Sequence, residues 1–180
     1  RNGVTLFYSA PDGQTILQGD CRALLAEMEP ASVQTCVTSP PYLGLRRYLP
    51  EGHSDEGKQI GLESDVGEYI AALVEVFRLV RRALREDGTL WLNCGDSYCG
   101  SGHGPTGEGS ILGRNGEIKS VNYEQRQGFV NRRTTPPASA VKAKDLMLVP
   151  ERLALALQAD GWWVRSRIAW CKTSAMPESV

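Results

Sequence analysis

The chain has 180 residues, of which 41% are hydrophobic and 23% are charged, and its net charge is −1. These values are typical of one globular domain; the chain is too short for two full-sized domains, and it lacks an overall basic signature for nucleic acid. No apolar run approaches the roughly 20 residues of a membrane span, and the N-terminus has no signal-peptide pattern. The 5 cysteines are odd in number and widely spread, which suits reduced thiols in a cytoplasmic protein.

The first third of the chain predicts a strand, a helix and a second strand. Residues 15–18 (TILQ) are predicted as a short buried strand, and a turn at Gly19 and Asp20 leads into an amphipathic helix over 21–28. Residues 33–38 are predicted as a strand. It ends at two prolines, which cannot donate to a sheet ladder.

The strongest helical pattern follows a predicted loop over 43–63. Residues 65–85 repeat apolar side chains at spacings of three and four, and they carry arginines near the C-terminal end, where the helix dipole favours cations. A turn at 86–88 then leads to a predicted buried strand over 89–93 (TLWLN).

Residues 99–141 are predicted as a long flexible loop, because they are rich in Gly, Ser, Thr, Asn and Pro. Residues 100–144 hold 7 basic and 3 acidic residues, and a locally basic loop fits a partner with phosphates, although a solvated loop has the same composition. A helix over 145–159, in which Pro150 falls early, precedes a predicted edge strand over 162–170.

The alternation of strands and helices predicts an α/β fold with a mostly parallel sheet and crossover helices. In such sheets ligands bind at the C-terminal ends of strands. Two segments rich in polar and aromatic side chains, TSPPY and NCGDSY, lie at the C-terminal ends of predicted strands.

The tetrapeptide Ser39-Pro40-Pro41-Tyr42 has side chains and carbonyls suited to bind an amine on a planar ring. The prolines remove backbone donors and leave carbonyls, the Ser39 hydroxyl can accept a hydrogen bond, and Tyr42 offers a ring for stacking. An amine on a planar heterocycle, held by acceptors and covered by an aromatic ring, describes an extruded nucleobase. Catalysis by such a site would come from positioning and preorganised electrostatics.

TSPPY resembles the D/N/S-P-P-Y/F motif of amino-methyltransferases, which move a methyl group from S-adenosylmethionine to an exocyclic amine. The stretches ILQGDCRALLAEMEPASVQTCVTSPPY, LREDGTLWLNCGDSY and LALQADGWWVRSRIAWCKTSAMPES are similar to site-specific DNA methyltransferases of the circularly permuted kind. In that family the catalytic half precedes the glycine-rich cofactor loop. The resemblance covers about residues 14–98 and 142–180.

The resemblance implies a Rossmann-like S-adenosylmethionine-dependent methyltransferase fold that is incomplete in this chain. Residues 1–180 would form the catalytic part of a single domain. The family's Phe-x-Gly-x-Gly cofactor loop is absent from the sequence, so we expect it beyond Val180 and expect this piece alone not to bind the cofactor measurably.

The resemblance also implies roles for particular residues. The residues that would hold and stack the target base are Ser39, Pro40, Pro41 and Tyr42. Those that would bind the cofactor are Asp20, Thr38 and Asp96. Those that would contact DNA are Arg46, Arg47, Arg132, Arg133, Trp170 and Lys172.

Simpler explanations remain open for several of these residues. Asp20 is also placed as a plain helix N-cap, and Asp96 as a turn residue. Trp170 is also explained by core packing, and the pair Arg46 and Arg47 by a solvated surface.

The implied activity is methylation of the exocyclic amine of a flipped base in double-stranded DNA. Serine at the first motif position favours cytosine N4, with adenine N6 as the alternative. A protein-glutamine or RNA methyltransferase and an inactive DNA-binding remnant are further alternatives. A cognate restriction endonuclease and a bacterial, archaeal or phage origin would fit this family.

Two other patterns are weaker. GHGPTG at 102–107 spells a dinucleotide fingerprint but lacks the strand and the helix that must flank it. Cys94, Cys99 and His103 do not have a usual zinc spacing and lack a fourth ligand, so no metal is expected.

Overall fold

The computed structural model describes residues 5–44, 47–50, 52–63, 65–99, 109–112, 118–121, 141–142 and 145–174. In chain order these residues form β1 (Thr5–Ser9), β2 (Thr15–Gln18), α1 (Cys21–Glu27), β3 (Val33–Thr38), a 3-10 helix (Glu56–Lys58), α2 (Val66–Ala83), β4 (Leu84–Leu92), β5 (Gly109–Leu112), β6 (Ile118–Val121) and α3 (Val149–Ala159). The chain divides into two units, Arg1–Pro40 with Ala71–Asn93, and Pro41–Ile70 with Cys94–Val180.

In the first unit β3 and β4 pair in parallel, as the predicted alternation of strands and helices requires. Val33 and Thr35 on β3 are two positions apart, whereas their partners on β4, Leu84 and Thr89, are five positions apart. Residues 85–88 therefore bulge out of the paired region. The turn predicted at 86–88 is therefore an irregularity inside β4, and the strand begins earlier than predicted. The prediction that residues 89–93 are buried is wrong, because Trp91 is 54% exposed and none of the five is buried. The parallel pair confirms the α/β class.

The first unit also contains a hairpin that the sequence did not indicate. β1 and β2 are antiparallel, with Thr5 opposite Gln18 and Ser9 opposite Thr15. The prediction that residues 15–18 are buried is wrong, because all four are exposed. A two-stranded hairpin leaves its faces to solvent where no other layer covers them.

One side chain fixes the end of α1 in the first unit. The Arg82 guanidinium donates from Nη2 to the carbonyl oxygens of Leu25, Ala26 and Met28, at 3.0, 2.8 and 2.6 Å. The last carbonyls of a helix have no partner within the helix. Arg82 supplies these partners from α2, and it thereby ties the two helices together.

The buried residues lie mainly on α2 and α3, as their apolar periodicity predicts. Within the first unit, α2 buries Leu73, Phe77 and Val80. Within the second unit, the start of α2 buries Tyr69, and α3 buries an apolar stripe that includes Leu153.

Two predictions about the rest of the chain differ from the structure. Residues 162–170 form no strand; they pair with no other strand in the part of the chain that is described, and Trp163 is 88% exposed. The predicted loop over 99–141 contains the antiparallel pair of β5 and β6, with Gly109 opposite Val121. Apart from Val141, the rest of that loop from residue 100 onward lies outside the described residues. None of the helices in the described ranges has the length and apolar character needed to cross a membrane.

Candidate functional site

The strand that leads into the tetrapeptide ends at Thr38. The Thr38 carbonyl accepts from the backbone N–H of Asn93 at 2.9 Å, which is the last bond alongside the parallel pair. Ser39 and Pro40 then close the first segment of the first unit, and Pro41 and Tyr42 open the second unit. The prolines stop the ladder because they have no N–H to donate.

Within the second unit the Pro41 carbonyl has a specific partner. The Tyr69 hydroxyl on the first turn of α2 donates to Pro41 O at 2.7 Å. Tyr69 is 0% exposed, whereas Pro41 is half-buried. A buried tyrosine hydroxyl ordinarily has a hydrogen-bond partner, and here the partner is the backbone of the predicted base grip.

Burial raises the pKa of the Tyr69 hydroxyl above its usual range, and negative charge on Cys94, Glu63, Tyr42 or Tyr48 would raise it further. Desolvation has this effect because it disfavours the charged phenolate. The Tyr69 hydroxyl therefore keeps its proton and remains a donor throughout the physiological pH range.

The half-buried ring of Tyr42 lies against a glycine that follows β4. A Cβ atom on Gly95 would come within 2.8 Å of Tyr42 Cε2 and 3.3 Å of Cδ2 and Cζ. Real side chains do not approach this closely, so the ring occupies the space that any larger residue at 95 would need.

Another glycine approaches the same turn from the backbone side. Gly61 has a φ of +95°, and a Cβ atom there would lie 3.0 Å from Tyr42 O and 3.3 Å from Pro41 Cβ. Glycine alone adopts this conformation at little cost. The Gly61 carbonyl also accepts from Gly44 N at 2.6 Å, which closes the loop between them.

Asp96 caps a helix in the second unit. Its Oδ1 atom accepts from Ser97 N at 2.9 Å and from Val149 N at 3.0 Å, at the start of α3. The residue before that helix, Leu148, has a φ of 53° and makes no side-chain cap bond. Asp96, although distant in the sequence, thus supplies the carboxylate that helix N-termini favour. The cofactor role predicted for Asp96 stays a prediction.

Asp20 is the N-cap of α1 in the first unit. Its Oδ1 accepts from the Arg22 backbone N–H at 2.9 Å, and both carboxylate oxygens accept from the Arg22 guanidinium. This geometry confirms the helix-cap explanation. A role for Asp20 in holding the cofactor stays a prediction.

The residues predicted to contact DNA are only partly described. Arg46, Arg132 and Arg133 lie outside the described residues, as does the GHGPTG segment. Arg47 forms an ion pair with Glu56, so a phosphate would have to compete with that carboxylate. Trp170 is 79% exposed and Lys172 is exposed, so the core-packing explanation for Trp170 is wrong.

Within the described ranges, no three side chains of His, Cys, Asp or Glu come together as metal ligands, and His103 lies outside those ranges. Burial raises the pKa of Cys94 from its ordinary value of 9.0 to about 11, with the charges of Asp96 and Glu151 as smaller causes. The thiol of Cys94 is therefore protonated near neutral pH.

We expect iodoacetamide at pH 8 to alkylate the exposed Cys171 much faster than Cys94, because the thiolate is the reactive species. Peptide mass spectrometry over time measures both rates, and the two rates should converge in urea. Equal rates in the native protein would contradict the burial of Cys94.

Since the folded pKa is raised, the contribution of Cys94 to stability is present below pH 9 and is lost as pH rises through about 11.

Sequence reasoning missed three residues around Tyr42. Tyr69 fitted the apolar stripe of its helix, and nothing in that spacing distinguishes a hydroxyl that has a partner from one that has none. Gly95 gave a faint signal, since a glycine shortly after the end of a strand can mark a close approach of the backbone. Gly61 gave none, because the loop around it has no periodicity.

Comparison with known proteins identifies relatives. A family model described as DNA methylase, of the N6/N4 methyltransferase class, matches residues 33–180. The type II methyltransferase M.XycI of Xanthomonas campestris pv. cyanopsidis is 40% identical over 168 residues, which cover 93% of this chain and 49% of that protein. M.Cfr9I of Citrobacter freundii is 41% identical over 94% of this chain and 50% of its own length. M.SmaI of Serratia marcescens is 41% identical over 92% and 50%.

These matches have two features. The chain spans about half the length of these curated relatives, and no solved structure matches it. The family model nevertheless covers most of the chain, including the tetrapeptide and the segment after β4. The chain belongs to the DNA methylase family.

Proposed function

We propose that the complete protein transfers a methyl group from S-adenosylmethionine to the exocyclic amine of a base flipped out of double-stranded DNA. The observation that carries the proposal is the end of β3, where two prolines without N–H groups follow Ser39 and lead to an aromatic ring packed against Gly95. Membership of the DNA methylase family supports the same reading.

In the proposed mechanism Ser39 and Pro40 accept the two hydrogens of the target amine, and Tyr42 stacks on the base. Holding both hydrogens in the base plane turns the nitrogen lone pair out of that plane. With S-adenosylmethionine bound, the lone pair would take up the methyl group, S-adenosylhomocysteine would leave with the carbon–sulfur electron pair, and the amine would release one proton to solvent. Preorganised acceptors stabilise the positive charge that develops on the nitrogen.

The cofactor-facing residues proposed for this chain are Asp20, Thr38 and Asp96. The exposed Asp20 carboxylate offers the acceptor chemistry that ribose hydroxyls require, and Thr38 offers a hydroxyl at the end of β3. S-adenosylmethionine supplies the methyl group when bound. We propose that both units belong to one Rossmann-like domain.

DNA contacts are proposed for Arg46, Arg47, Arg132, Arg133, Trp170 and Lys172. Cations on phosphates position a protein on the duplex without reading its sequence. The relatives are named type II methyltransferases, and a cognate restriction endonuclease is proposed on that ground.

Cytosine N4 is the proposed target atom, because serine stands first in the tetrapeptide. The test is methylome sequencing of DNA from cells that express the complete gene, with a Tyr42→Ala variant as the control. We expect N4-methylcytosine at one recurring sequence, and less of it in the control. N6-methyladenine instead would leave the amine chemistry standing and correct the base, and unmodified DNA would contradict the proposal.

A further inference from the structure

We propose that Tyr69, Gly61 and Gly95 are positioning residues that preset the Pro41–Tyr42 turn before a base arrives. We call these three residues the Tyr42 seat. The inference rests on the proposed function for its catalytic consequence, whereas the seat itself is a set of contacts within the second unit.

The first contact fixes the backbone. Tyr69 Oη donates to Pro41 O at 2.7 Å from a fully buried position on α2. Pro41 already has a restricted φ, so a bond on its carbonyl removes much of the remaining freedom of that peptide plane. The same bond occupies the Pro41 carbonyl, so this carbonyl is not among the acceptors proposed to hold the target amine.

The second contact fixes the ring. Gly95 lets Tyr42 approach the backbone that follows β4, at a distance that no side chain at position 95 would permit. The ring atoms from Cδ2 to Cζ lie close to that backbone, so the ring has little room to turn. An ordered ring pays less conformational entropy when a base stacks on it.

The third contact limits the turn from the other side. Gly61, with its positive φ, brings its backbone against the carbonyl of Tyr42 and the ring of Pro41. The bond from Gly44 N to Gly61 O holds the chain immediately after Tyr42. The turn is thus restrained at Pro41, at the Tyr42 ring and at Gly44.

Tyr69→Phe in the complete protein tests the seat, because it removes one oxygen atom and keeps the buried ring. We expect kcat for DNA methylation to fall roughly 10- to 100-fold, the cost of an unmade buried hydrogen bond expressed as a rate. The KM for DNA should change less than threefold, since phosphate contacts dominate DNA affinity. Tyr48→Phe, at an exposed tyrosine of the same unit, is the matched control and should leave kcat unchanged.

A second measurement reads the seat without any methylation. Fluorotyrosine placed at position 42 should give one sharp fluorine NMR resonance in the otherwise unchanged protein. We expect it to broaden or split in Tyr69→Phe and in Gly95→Ala, and to stay sharp in Tyr48→Phe. Gly95→Ala places a methyl group where the ring now lies.

The outcomes separate the two proposals. An unchanged kcat and an unchanged resonance in Tyr69→Phe would overturn the seat and leave the proposed function standing. A rise in KM together with a loss of folding, without a specific fall in kcat, would show that Tyr69 is merely structural. That result would also overturn the seat. A wild-type protein that methylates no DNA would overturn the proposed function, while the fluorine resonances would still decide the seat.

Discussion

Tyr42→Ala in the complete protein should slow methyl transfer roughly 10- to 100-fold, because stacking on an aromatic ring is worth about 1–3 kcal/mol per base. The Kd for DNA should change much less, since most of that affinity comes from phosphate contacts. Single-turnover methylation and fluorescence anisotropy, measured at one salt concentration, give the two quantities.

Two controls make the Tyr42 result specific. Tyr42→Phe keeps the ring that packs against Gly95, so it should retain most of the rate. Tyr48→Ala removes an exposed ring from the same unit and should change neither quantity. Equal losses of methylation and DNA binding in Tyr42→Ala would count against a stacking role.

Asp96→Ala should lower the free energy of unfolding by about 2 kcal/mol, because two backbone N–H groups lose their acceptor and α3 loses its cap. Asp96→Asn keeps an acceptor oxygen and should cost less than half as much. Urea denaturation followed by circular dichroism measures both values.

The same variants decide between the two roles considered for Asp96. Asp145→Ala is the matched control, since it removes another carboxylate of the second unit whose side chain is exposed. If Asp96→Ala left stability unchanged and weakened S-adenosylmethionine binding in calorimetry, the carboxylate would act on the cofactor and not as a helix cap.

Periodicity predicted the elements that carry strong local patterns. α2 was predicted over 65–85 and is found at Val66–Ala83, and β3 was predicted with its observed bounds. The hairpin of β1 with β2 was not predicted, because its first strand was not recognised. The strand predicted over 162–170 was wrong because alternation alone cannot supply a neighbouring strand.

The tetrapeptide could be singled out as a candidate site from the sequence, whereas the contacts that hold it in place could not. The tetrapeptide is informative because prolines and an aromatic ring restrict what a strand end can do. The bond from Tyr69 to Pro41 joins residues 28 positions apart, and the contact of Gly95 with Tyr42 joins residues from opposite sides of α2 in the sequence. Such contacts arise from tertiary packing, on which a single sequence carries little information.

The bond between Gly44 N and Gly61 O has an evolutionary consequence. When the two ends of a loop are hydrogen-bonded to each other, changes of sequence within the loop have little effect on the residues outside it. Lengthening such a loop also costs little entropy. The chain between these glycines can therefore gain, lose or exchange residues while Tyr42 keeps its place. Insertions or substitutions in this segment, away from the proposed DNA contacts Arg46 and Arg47, should therefore leave the Pro41–Tyr42 turn unaltered.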